Sequence, residues 1–186
     1  WYDDLNRVRN DFFKERGVVD RLVPASTGVG VGNPYGAAIV GDALALDPKH
    51  DRIAIRALPS PLQCPAPAYG SAFSRAVEVA MPDYRRLYVS GTASIHPGGA
   101  SAYPGDVDMQ VDLTMRVVKA ILELAQMDWS DVNRAVAYFK HMPDAAAYER
   151  WRKAAGVDPM PIVIVHADIC RDDLLFEIEV DALKTC

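Results

Sequence analysis

Near the end of the chain, Phe176, Ile178 and Val180 alternate with Glu177, Glu179 and Asp181. Strand geometry puts the three acids on one face of a sheet and the apolar residues on the other. Acids on a strand ordinarily face water. Held side by side in a partly desolvated cleft, however, burial and like charge raise the pKa of a carboxyl, which can then deliver a proton near neutral pH. Cys170 lies just upstream of these acids, with Arg171 as its adjacent cation. A free cysteine is most often a small buried hydrophobe, and no histidine stands beside this one to activate it as a nucleophile. Other chemical signals are weak. TGVGVGN is followed by Asn33-Pro34 where a dinucleotide fold needs a helix, so it reads as a turn. His50, His96, His141 and His166 stand singly without ligand spacing, and no metal site is expected. No nucleophile-elbow motif frames a serine.

Composition sets the frame for these residues. A chain of 186 residues with 50% apolar and 24% charged content has the size and makeup of one globular domain. Cys64, Cys170 and Cys186 are odd in number and lack CxxC spacing, which argues against a disulfide framework and favours a reducing, cytoplasmic setting. No apolar run reaches the roughly 20 residues that cross a bilayer, so no membrane partner is expected. A net charge of −5 without a basic stripe argues against nucleic acid as a partner. The chain opens at Trp1-Tyr2 rather than Met, as a processed or partial product would.

The elements that must position the acids follow from periodicity. Residues 2–16 carry Leu5, Val8 and Phe12 at helical spacing, and the Gly- and Pro-bearing run 24–36 is a loop. Residues 37–46 and 52–58 alternate as paired strands around Asp47-Pro48-Lys49-His50; 73–80 and 87–93 add two more. Residues 106–127 give the clearest helix, with Val107, Val111, Met115, Val118, Leu122 and Ala125 on one face and Asp108, Asp112, Arg116, Lys119 and Glu123 on the other. A strand over 134–140, a helix over 143–155 and strands over 161–169 and 174–183 complete an α+β fold, a mixed sheet with two helices packed on one face.

VSGTASI at residues 89–95, the helix containing DMQVDLTM, and the closing CRDDLLFEIEV resemble, in that order, the RidA/YjgF superfamily. The resemblance covers the chain from about residue 37 and implies the chorismate mutase-like fold, with residues 1–36 as an N-terminal helix and glycine-rich loop ahead of a domain at 37–186. It also implies a homotrimer with small-molecule clefts at subunit junctions. Because the acid-bearing face has no covering helix left in this chain, it is expected to be buried by neighbouring subunits. Within the superfamily, PASTGVGVGNPYGA and the Cys170 to Glu177 spacing look most like the C-terminal half of chorismatases, proteins about twice this length.

That resemblance implies cleavage of the enolpyruvyl ether of chorismate to pyruvate and a cyclic carboxylic acid, without metal or organic cofactor. Glu177, matching the glutamate of the EIE motif, would be the general acid. Cys170 matches the cysteine of chorismatases that form 3-hydroxybenzoate; members with a small inert residue there release a non-aromatic dihydroxy acid. Arg75 and Tyr69, in AYGSAFSRA, would hold the small anionic carboxylate substrate, with Ser94 supplying a donor. Two rivals remain at this level: an imine deaminase of the RidA type and a non-catalytic ligand-binding trimer. The deaminases carry an arginine on the penultimate strand at a position that here falls at or beside Ile162, where there is none, which counts against the first rival.

Overall fold

The computed structural model describes residues 1–186. Helix α1 (Tyr2–Glu15) precedes a six-stranded sheet built from β1 (Ala54–Leu58), β2 (Ala76–Ala80), β3 (Tyr84–Ala93), β4 (Val132–Phe139), β5 (Ile162–His166) and β6 (Phe176–Thr185). The strands lie in the order β1-β2-β3-β6-β4-β5. All neighbours are antiparallel except β4 and β5, which run parallel and are joined through α3 (Ala146–Ala154). Helix α2 (Val107–Leu124) packs across β3 and β6, with α3 beside it.

The amphipathic pattern of α2 explains this arrangement. Val111, Met115, Val118, Leu122 and Ala125 are fully buried against Leu87, Val89, Ile178 and Val180 of the two central strands. Asp106 caps its start by accepting a hydrogen bond from the Met109 N–H at 3.1 Å. At its end, the Ala125 carbonyl accepts from Arg85 at 2.8 Å and the Gln126 carbonyl from Lys184 at 2.8 Å, two cations where the helix dipole is negative. Arg85 is held in turn by Glu78, itself 1% exposed.

The chain differs from the expected four early strands in one place. Residues 37–46 form no strand and are exposed throughout, with Ile39 at 70% and Leu44 at 66%. Alternation reports only which residues share a face. A strand also needs a neighbour for its backbone ladder, and β1 pairs with β2 alone.

Gln110, on the buried face of α2, ties two loops together. Its amide donates to the carbonyls of Tyr103 (3.1 Å) and Asp173 (2.8 Å) and accepts from the Leu175 N–H (2.8 Å). Gln110→Ala leaves the Asp173 carbonyl and the Leu175 N–H without a partner, while the Tyr103 carbonyl keeps the Asp106 N–H at 3.1 Å. It should lower stability by about 2–3 kcal/mol, read as a lower urea midpoint at unchanged slope. A loss under about 0.5 kcal/mol, the scale of an ordinary surface change, would show that the Asp173 turn is held by other contacts.

Candidate active site

The site begins with an irregularity in the sheet. Val89 pairs with Val180 and Thr92 with Ile178, so Ser90 and Gly91 of β3 together oppose Glu179 of β6. Such a bulge bends its strand and frees a backbone N–H. Here the Gly91 N–H donates to Thr27 Oγ1 at 2.9 Å. The Ser90 hydroxyl accepts from the Ser26 N–H at 3.0 Å and donates to the Ser74 carbonyl at 2.5 Å. The glycine-rich loop is thereby fastened over the bulge, and Gly30 and Asp168 exchange two backbone hydrogen bonds of 2.8 Å farther along.

Gly91 has a second role. A Cβ there would overlap Glu177 Oε1 and lie 3.1 Å from its carboxyl carbon and 3.0 Å from Thr27 Cγ2. Only a residue without a side chain lets the Glu177 carboxyl lie against β3.

This carboxyl faces a cavity of about 140 Å³ whose walls include Tyr2, Asn6 and Arg9 of α1, Ser26 and Gly28 of the loop, and Tyr69, Arg75, Cys170 and Arg171. Helix α1 rests on the rim, where Asn10 donates to the Gly70 carbonyl at 2.9 Å. Glu177 is therefore 5% exposed within a single chain. The expectation that this end of the acid face has no cover of its own is corrected: residues 1–30, which carry no sheet periodicity, supply it. Glu179 and Asp181 keep only a small exposed fraction and pair with Arg134 at 2.6 and 3.7 Å.

Burial, with the like charge of Glu179, raises the Glu177 pKa to about 8. No protein donor bonds its carboxyl, so the protonated oxygen is free for a ligand. Burial likewise pushes the Cys170 thiol up to about 12, with Glu177 adding to the effect. Cys170 is thus a neutral thiol at physiological pH, packed against Ala93, Ile95, Ile169 and Leu174.

Four residues singled out in the sequence converge here: Glu177, Cys170, Arg75 and Tyr69. Arg75, 4% exposed, spends Nε and Nη2 on the Cys64 carbonyl at 3.1 and 2.9 Å, which leaves Nη1 without a protein acceptor. Its guanidinium lies 5.4 Å from the centre of the Tyr69 ring, and that of Arg171 lies 5.3 Å away. Desolvation takes the Tyr69 hydroxyl to about 12, with Arg75 opposing, so it remains a phenol that can donate. Ser94 does not reach the cavity. Its neighbours Ala93 and Ile95 line the wall, while its hydroxyl points away and donates to the Ala102 carbonyl at 3.1 Å. Arg9 and Arg171 are additional cavity residues. The sequence marks Arg171 only as a neighbour of Cys170, and no periodic signal links α1 to the strands it covers.

The Glu177 environment has a pH signature. Its folded pKa, about 8 against an ordinary 4.5, is raised, so the folded chain binds the extra proton between those values. Stability from this group is full below the lower value and is lost as pH rises through about 8. Glu177→Gln should flatten that decline in melting temperature and make the chain more stable than wild type at alkaline pH. Parallel curves for the two proteins would mean that Glu177 ionises as it does in water.

The profile described as Endoribonuclease L-PSP matches residues 65–184. A chorismatase of Streptomyces rapamycinicus is 27% identical over 196 aligned residues, covering 96% of this chain and 56% of the relative. A chorismatase of Streptomyces hygroscopicus is 26% identical, covering 96% and 54%. The chain spans about half the length of these curated relatives. Among solved structures, a chorismatase superposes with a TM-score of 0.60 at 24% identity, over 69% of this chain and 44% of that one. The Escherichia coli YjgF gene product gives 0.54 at 21%, over 69% and 98%. These two likenesses establish the fold. With both packed helices, the bulge at Gly91 and the strand position of Glu177 all inside the matched residues, the chain belongs to the Endoribonuclease L-PSP family, the RidA/YjgF group.

Proposed function

We propose that this cavity takes a small carboxylate carrying an enol ether, chorismate or a close relative, and releases pyruvate from it. The observation that carries the reading is Glu177, a buried carboxyl that holds its proton to about pH 8 in the same cavity as an arginine without a counter-anion. The similarity to chorismatases supports the same chemistry. Arg75 Nη1 and the Tyr69 hydroxyl would hold a substrate carboxylate. Glu177 would place its proton on the enol methylene, leaving an oxocarbenium-like centre at the ether carbon. Attack by water there gives a hemiketal, which collapses to pyruvate and the free alcohol; the proton shed by that water restores the acid. Cys170, as a neutral thiol on the cavity wall, would influence whether the released cyclic alcohol, the dihydroxy acid, leaves as such or first loses water to become the aromatic 3-hydroxybenzoate.

Glu177→Gln keeps shape and packing but has no proton to give. Pyruvate release from chorismate, followed with a coupled assay, should fall about a hundredfold or more, the scale for removing a general acid, while ligand binding persists. Cys170→Ala should keep pyruvate release and shift the cyclic product towards the dihydroxy acid, seen by chromatography. A wild-type chain inert towards chorismate yet active on imino acids would replace this reading with the deaminase one.

We further propose that the chain assembles as a homotrimer through the open face of the sheet. Val163 is 60% exposed there, beside the half-shielded cluster of Arg86, Arg134, Glu179 and Asp181. Light scattering should give three times the chain mass, and Val163→Lys should lower it; a wild-type monomer at micromolar concentration would exclude this arrangement.

A further inference from the structure

The arginines of this chain divide in an informative way. Six are at least partly shielded from water: Arg9, Arg75, Arg85, Arg86, Arg152 and Arg171. Three of these have a carboxylate partner, Arg85 on Glu78, Arg86 on Asp181 and Arg152 on Glu149. The other three, Arg9, Arg75 and Arg171, have none, and all three line the Glu177 cavity. A shielded guanidinium without a counter-charge is costly, and three around one cavity call for anionic charge from a ligand. The acids in the wall do not supply it, since Asp3 is exposed and forms no ion pair with these arginines and Glu177 faces them as a neutral acid near pH 7.

Arg75 and Arg171 flank Tyr69, whereas Arg9 comes from α1. Its Nη1 donates to Ser26 Oγ at 3.3 Å and its Nη2 to Asn6 Oδ1 at 2.7 Å, both neutral acceptors that hold the head group in place. Its Nε is buried with no partner. We infer that Arg9 is a specificity-determining residue: it binds a second anionic group of the ligand, apart from the one held by Arg75, so that the cavity selects dianions over monoanions. This rests on the reading of the cavity as the substrate site, and not on chorismate being the substrate.

Calorimetric titration of the 186-residue chain with benzoate and with benzene-1,3-dicarboxylate tests it. The dicarboxylate should bind about tenfold or more tighter, the scale of one charge-assisted hydrogen bond. Arg9→Gln should abolish that preference by weakening the dicarboxylate far more than benzoate, Arg9→Lys should retain part of it, and Arg75→Gln should weaken both ligands. Melting curves confirm that each variant is folded. Equal wild-type affinity for the two probes, failure to bind either, or an undiminished preference in folded Arg9→Gln overturns the inference. A preserved effect in a chain that releases no pyruvate from chorismate would remove the proposed reaction and leave the dianion site standing.

Discussion

The Glu177 carboxyl occupies the volume that a side chain at residue 91 would need, and the geometry of the site follows from that single exclusion. The bulge at Ser90-Gly91 turns one backbone N–H out of the ladder, the Thr27 hydroxyl takes it up, and the same loop shuts the acid away from water. Desolvation then keeps the carboxyl protonated. Remove the glycine, and the carboxyl, Thr27 and the loop lose their common seat.

Protonation of Glu177 and the isolation of the arginines are two sides of one electrostatic condition. An ionised carboxylate in the cavity would neutralise a guanidinium and leave less need for an exogenous anion. As a neutral acid, Glu177 can donate a proton while the cations that line the same cavity stay available. The tyrosine between Arg75 and Arg171 assists, since its ring face attracts cations without cancelling their charge. Gln110 acts at a distance from all of this. By fixing the Asp173 turn it sets where Arg171 and Cys170 enter the cavity and where β6 begins.

Much of the scaffold could be read from periodicity, because α2 and β6 each display one face to a common core and their patterns report that face directly. The acid on β6, the cysteine before it and the Tyr69 and Arg75 pair were legible through motif resemblance, and they share the cavity. Ser94 belongs to the same SGTAS stretch that suggests hydroxyl donors, but strand alternation turns it to the other side from Ala93 and Ile95. Residues 37–46 showed alternation without a partner. The cover supplied by residues 1–30 was illegible for a different reason. Its contacts with residues 70–91 are individual hydrogen bonds across long sequence separations, and such bonds impose no period. That a guanidinium lacks a counter-ion is likewise a property of three-dimensional neighbourhood alone.

Helix α1 contributes cavity walls yet contains no buried residue and lies outside the residues that match the family profile. Substitutions along it therefore disturb little packing, in contrast to the strands beneath, where one added methyl group collides with the acid. On the proposal that Arg9 binds a second anion, that part of ligand choice is written in one stretch of the chain and fold stability in another. Drift or selection can rewrite the first while the second is held constant, which makes this helix a natural cassette for exchanging one anion preference for another on an unaltered sheet.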